Sequence, residues 1–423
     1  MQSEDLLVCY LARVNIDKDA VRKVKKILSP ELNWAYFFDL VKSEGVTPLA
    51  YKSLSGIDQA KAIVPKDIWK KMENCYYSVA ASNTLLYQKL TGILTSFNET
   101  GVKVIVLKGA ALAASIYGNA ALRAMTDIDL LVKKEELPFV DTGLKCLGYS
   151  SADRSVEDID ISSVSYLTTL DYRNPAKNSP PLHIHYHFVN STIPTHSYID
   201  KIKIEKIWQE AEETEIGGVK TLVMSPHHLL IHLAEHSLRV LHSLNKLSYL
   251  CDINETVNFY GERLDWSKLV SHSFEFNLNR LVYFSLYFTA KFLNTAIPQK
   301  VLSALKPSRL SWEEKIFVKL AAENKRFPGL SYLLHLAMNE GLWAKARFIL
   351  RTFFPPRHIL AQRYYIPESK LNCFHYLYRM GEILSRGCKG ICFLIGWFFE
   401  KLILRQASLL ARFFKRKFKG SKA

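Results

Sequence analysis

Apolar residues recur at three- to four-residue intervals through Asp19–Leu28, Asn33–Glu44 and Ile68–Phe97, the spacing that gathers them on one side of an α-helix. In the second of these the stripe reads Trp34, Tyr36, Phe37 and Leu40, which predicts a buried helix face. After residue 100 the pattern shortens and begins to alternate between strand and helix. Val102–Leu107 is β-branched and apolar and reads as a strand. A helix over Ala110–Tyr117, a strand over Asp127–Val132, a helix over Glu135–Leu147 and strands over Val164–Leu170 and Leu182–Val189 follow. The polar, proline-containing turn Asn174–Pro181 makes the last two strands an antiparallel hairpin. From 200 to about 340 the helical period returns, with one helix opening at Pro226 and running to about Leu241. The expected fold class is therefore α+β: a small mixed sheet with helices on one side, flanked by helical regions at both ends. The expected divisions are a helical cap over 1–98, an α/β core over 99–195, a helical domain over 196–340 and a basic tail over 341–423. Candidate linkers are the acidic stretch Asp153–Asp160 and the helix-ending Phe353-Phe354-Pro355-Pro356.

The alternating region holds the candidate chemistry. Asp127 and Asp129 are one residue apart on a predicted strand, so both side chains leave the same face while Ile128 leaves the other. Like charges so close need a cation or a proton between them, and magnesium on phosphate oxygens suits such a pair because it takes few ligands from the protein. Upstream, Leu107-Lys108-Gly109 ends a strand and feeds a helix, a turn whose amides and lysine suit a phosphate. Alternation also puts His183, His185 and His187 on one face. On the helix from Pro226, His228, His232 and His236 repeat every four residues. That histidine face reads as a polar lining more readily than as a transition-metal site, and Arg239 and Lys246 near it are candidate phosphate or acceptor contacts.

Taken together, Leu107-Lys108-Gly109, Tyr117, Arg123, Asp127–Val132, Leu147-Gly148-Tyr149 and Leu182–Tyr186 resemble the bacterial family known as uncharacterised nucleotidyltransferases, in the polymerase-beta-like nucleotidyltransferase superfamily. Weaker echoes run through Asn33-Trp34, Val46–Leu49, Leu233–His236 and Cys251-Asp252-Ile253. The resemblance implies a metal-dependent enzyme that moves a nucleoside monophosphate from a nucleotide triphosphate to an acceptor hydroxyl. It implies that Asp127 and Asp129 hold Mg2+ or Mn2+, and that Lys108 and Gly109 hold the triphosphate. Two roles stay open for Arg123, a phosphate contact or a salt bridge to Asp127 or Asp129. Two positions depart from the superfamily pattern: Ala110 follows the glycine where a serine or glycine is usual, and His183 stands where a third acid is expected. His183 is then either a base or a third ligand, although imidazole suits zinc, manganese or iron better than magnesium. The departure motivates a second reading, a catalytically degenerate binding or scaffold protein in a surface-polysaccharide or peptide-modification pathway.

Charge changes the picture only at the C-terminal end. The formal net charge is +16. Residues 341–423 carry 17 Lys/Arg against three acids, while residues 1–340 carry 39 against 37. Ile391–Lys419 mixes these cations with Phe393, Trp397, Phe398, Phe399, Phe413, Phe414 and Phe418. A basic amphipathic segment of this kind fits an anionic membrane surface through 386–423; packing on the protein body is the next alternative, and nucleic-acid binding the weakest of the three. Seven scattered cysteines, an odd number, fit a reducing compartment. The start Met1-Gln2-Ser3-Glu4-Asp5 lacks a basic leader, and no apolar run approaches the length of a membrane span. The expected location is the cytoplasm, with peripheral attachment at the inner membrane face left open.

Overall fold

The computed structural model describes residues 2–151, 156, 168–176, 179–190, 193–194, 198–239, 242–323, 329–364, 366–385 and 396. The linker candidate over 153–160, most of the strand expected over 164–170, the tail over 391–419 and Cys388 and Cys392 fall largely or wholly outside them. The chain divides into two compact units, Met1–Leu371 and Asn372–Ala423. In the second, a helix covers residues 373–385, with Arg379 paired to Glu382 at 3.2 Å. All elements named next belong to the first.

Six helices lead into the sheet: α1 (Ser3–Leu11), α2 (Lys18–Ile27), α3 (Trp34–Ser43), α4 (Thr47–Ser55), α5 (Ala60–Ile63) and α6 (Lys66–Glu99). Asp17 and Asn33 cap α2 and α3 by accepting the amides of Ala20 and Tyr36, which satisfies donors a helix start leaves free. The stripe on α3 differs from expectation. Trp34, Phe37 and Val41 are buried, whereas Tyr36 is turned out and donates its hydroxyl to Asp5. A step of three from Trp34 reaches Phe37 and a further step of four reaches Val41, whereas a spacing of two points away from the core.

Around the sheet run β1 (Ile105–Val106), α7 (Lys108–Ala111), β2 (Ile128–Leu131), α8 (Leu137–Cys146), β3 (Ser150–Ser151), β4 (Thr169–Arg173), β5 (Leu182–His185), α9 (Ile204–Gln209), β6 (Glu212–Ile216) and β7 (Val219–Val223). The strand order is β3-β4-β5-β2-β1-β7-β6. β2 is parallel to β5 and β1 to β7, and the other pairs are antiparallel. The hairpin across residues 174–181 is present, with its first strand shifted toward the turn.

β6 and β7 correct the expectation of continuous helices beyond residue 200. Val219, Thr221 and Val223 alternate along β7, and Gly217 and Gly218, both with positive φ (59° and 82°), make the tight turn into it. Two such glycines between alternating segments are a hairpin signal. The sheet's back face is apolar: Val104, Val106, Ile128, Leu130, Val132, Leu170, Tyr172, Leu182 and Ile184 pack on Leu86, Leu90, Ile93, Leu94 and Phe97 of α6 and on Leu137, Val140 and Leu144 of α8.

Helices α10 (Pro226–Ser237), α11 (Leu247–Tyr260), α12 (Trp266–Glu275) and α13 (Asn279–Leu293) pack on one another. α10 ends at Ser237, short of the expected Leu241. Arg13 donates to the Leu293 carbonyl and Glu255 accepts the Val14 amide, tying the first helices to this group. The prolines after Phe354 end a helix as expected, but a further helix opens at Arg357 within the same compact unit. Among the described residues no helix is long and apolar enough to cross a membrane.

Candidate active site

The front face of the sheet is polar where the back is apolar. Pairing sets Asp129 of β2 beside His183 of β5, and His183 beside Asp171 of β4. The same register sets Leu131 beside His185 and His185 beside Thr169. Asp127 precedes β2 and joins the group: donor atoms of Asp127, Asp129 and His183 lie within 4.8 Å of one another. His183 Nδ1 is 3.4 Å from Asp129 Oδ1 and 3.6 Å from Asp127 Oδ2, and its Nε2 is 3.7 Å from Asp171 Oδ1.

Asp129 is buried, and its Oδ1 also lies 3.2 Å from Lys108 Nζ and 2.7 Å from His185 Nε2. Burial opposes its charge, but Lys108 and the two imidazoles outweigh that, so its carboxyl sits well below the usual range. Asp127 goes the other way: burial, then the Asp129 charge, raises it. One member of the pair thus holds a firm negative charge while the other is easily protonated, the mark of two carboxylates sharing a site. His183 is raised because Asp129 overrides its burial. His185, fully enclosed and next to Lys108, is lowered to about 4, and its Nδ1 lies 3.0 Å from the Thr169 hydroxyl. His187 lies beyond the strand, accepts the Val189 amide and stays out of the cluster.

The turn after β1 is built differently from the expected glycine turn. Lys108 itself takes the left-handed conformation, with φ 42°, and opens α7, and Gly109 sits inside the helical turn. The need for glycine is spatial: a Cβ at Gly109 would stand 2.6 Å from Arg123 Nη1 and 3.2 Å from Met125 Cγ. Arg123 makes neither salt bridge weighed for it. Its Nε and Nη2 both donate to Asp252 at 2.8 Å, and Tyr117 donates to the same carboxylate at 2.8 Å. The Arg123 carbonyl accepts from Asn83 of α6, fully buried. Tyr117, Arg123 and Asp252, three positions of the sequence resemblance, therefore form one brace between the turn and α11.

The α10 histidines separate. His228 lies against His272, with His228 Nε2 and His272 Nδ1 3.0 Å apart. His236 lies against His242, with ring centroids 4.4 Å apart and planes tilted by 38°. His232 is fully buried with neither ring nitrogen hydrogen-bonded and is held neutral by burial, with Lys108 adding to the effect. Arg239 is committed to Glu235 and the Phe188 carbonyl.

Sequence reasoning missed Asp171. Its signal was Thr169-Leu170-Asp171, where Leu170 is buried on the back and its neighbours face the front.

A search among curated proteins gives no match. Among solved structures, the antibiotic-resistance factor ANT(2'')-Ia in solution covers 49% of this chain and 96% of its own, at 12% identity and a TM-score of 0.31. A likeness that slight carries no inference. A family model described as uncharacterised nucleotidyltransferase matches residues 30–294, spanning α6, the sheet, the front cluster and the Arg123–Asp252 brace. This chain belongs to the uncharacterised nucleotidyltransferase family.

Proposed function

We propose that the chain transfers a nucleoside monophosphate from a nucleotide triphosphate to an acceptor hydroxyl, using a divalent cation, Mg2+ or Mn2+, held by Asp127 and Asp129. The observation that carries this reading is the convergence of Asp127, Asp129 and His183 on one face of the sheet. The donor set fits a hard cation: Asp127, raised by burial and then by the Asp129 charge, and Asp129 beside it would both be relieved by a double positive charge. Such an ion supplies neutralisation of the phosphate charge that develops during transfer.

The chain's own residues do the rest. Lys108 and the Gly109 amide position the triphosphate, and Arg123 reaches the same turn with Nη1, the guanidinium nitrogen not used on Asp252. His183 takes the acceptor's proton, with Asp171 behind its Nε2 to hold the imidazole and steady its charge.

A specific observation favours the second reading, a catalytically degenerate binding or scaffold protein: imidazole replaces the expected acid, and Lys108 and His185 already hold one oxygen of Asp129. Calorimetry with a non-hydrolysable triphosphate in magnesium or manganese tests the transferase reading. We expect metal-dependent binding that Asp129→Ala abolishes, and absence of binding by the natural chain overturns that reading. His183→Asp divides them. A large gain in pyrophosphate release would mark the natural chain as a binder, and a loss would assign His183 to the reaction. By composition alone, residues 386–423 are proposed to dock on an anionic membrane surface. Co-sedimentation with anionic vesicles should fall when the chain ends at residue 385; unchanged sedimentation rejects docking.

A further inference from the structure

We propose that Glu210, His227, His228 and His272 form a zinc site, separate from the Asp127–Asp129 cluster, that pins the end of α9 to the start of α10 and the last turn of α12. The four residues come from three places. Glu210 follows α9 directly, His227 and His228 occupy the first turn of α10, and His272 lies on α12. One donor atom from each falls within 4.8 Å of the others.

The donor set is zinc-like. Zinc takes imidazole nitrogen and carboxylate oxygen, and four such ligands close a tetrahedral structural site. Around zinc the ligand atoms stand about 3.3 Å apart, from bonds of roughly 2.0–2.1 Å. Here Glu210 Oε2 is 2.6 Å from His227 Nε2, and His228 Nε2 is 3.0 Å from His272 Nδ1. Opening these two pairs by about 0.7 and 0.3 Å admits the ion. The second ring nitrogen of His228 is held as well. Ser225 Oγ lies 3.0 Å from His228 Nδ1, and a proton held on that nitrogen leaves Nε2 as a lone pair aimed at His272. A metal ligand whose other nitrogen is fixed by a neighbour is the usual arrangement.

The surroundings suit a doubly charged ion. His227, His228 and His272 are buried. Glu210 sets its carboxylate against His227 at the rim of this group. Lys268 approaches the same carboxylate at 3.6 Å from a side chain half exposed, free to swing away. The group opens on a surface pocket lined by Glu210, Ser225, His227, Arg263, Asp265 and Lys268, which gives the ion a way in.

The test uses the full chain, stripped with a chelator and dialysed against one equivalent of zinc, with bound metal read by mass spectrometry. We expect one zinc retained per chain, a zinc-dependent rise in melting temperature, and the visible bands of tetrahedral cobalt when Co2+ replaces it. His272→Gln should lose all three. Glu210→Gln, at the rim, gives the same comparison if the buried variant does not fold. Asp127→Asn should keep the zinc, so failure of this site and failure of the nucleotide site are read apart. No zinc retained by the natural chain, or equal zinc and equal melting shift in His272→Gln or Glu210→Gln, overturns the proposal.

Discussion

One oxygen of Asp129 is the electrostatic focus of the front layer, with Lys108, His183 and His185 all turned to it. Removing its charge strands a buried lysine, and breaking a buried pair from one side costs about 3–5 kcal/mol. Asp129→Asn is therefore expected to lower the urea midpoint markedly, whereas Asp127→Asn, on a side chain 39% exposed, should leave it nearly unchanged. If both variants melt like the natural chain, the Lys108 pair contributes little. Arg123 and Asp252 follow the same logic. Asp252→Ala leaves the guanidinium and the Tyr117 hydroxyl without their acceptor, and a loss of about 3 kcal/mol or more in chemical unfolding is expected; a loss under ~1 kcal/mol contradicts the brace. Asp127 and Asp129 were readable in the sequence because side chains on a strand alternate by geometry alone. The partner of Arg123 was not, because Asp252 is 129 residues away and only the finished packing of α11 brings it near. Asp171 fell between: its own alternation was visible, but its place beside His183 depends on the register of β4.

At the level of elements, the β6–β7 hairpin makes the sheet's far edge, and its turn is fitted to α6. A methyl group on Gly217 would meet Thr91 Cγ2 at 2.3 Å, on a backbone whose φ of 59° already disfavours a side chain. Gly217→Ala should cost about 1–3 kcal/mol. Adding Thr91→Ala should recover the steric part and leave the conformational part, a non-additivity that a double-mutant cycle in urea measures; strict additivity would mean no contact. The hairpin escaped the sequence reading because Glu212, Glu213 and Glu215 hide the usual apolar alternation on β6. The long α6 was plain, since its apolar period recurs at both ends, Ile68 and Met72 near its start and Leu86 to Phe97 on the sheet. The stripe on α3 was half plain: Trp34 and Phe37 face inward, and Tyr36 was counted for its chemistry when its angle put it outside.

For the whole molecule, buried histidines set the response to acid. Burial holds His187 and His335 at about 4 and His242 at about 3. Their unfolded values lie near 6.5. A folded value below the unfolded one means stability is full above pH ~6.5 and is lost as pH falls through the window down to about 4, because the unfolded chain takes the protons first. At pH 5 each such group costs about 2 kcal/mol relative to pH 7.5. Urea midpoints should therefore drop between those two conditions, and a flat or rising profile would show these rings charged inside the fold. The strand order has a consequence during synthesis. β1 meets β2 on one side as soon as Leu131 emerges, but its other side waits for Leu222 of β7. At about 5–20 residues per second the ribosome leaves that edge bare for roughly 5–20 s. A bare strand edge invites pairing with other chains. Nascent chains stalled before residue 212 should accordingly pellet or recruit chaperones, while those released past β7 should stay dispersed.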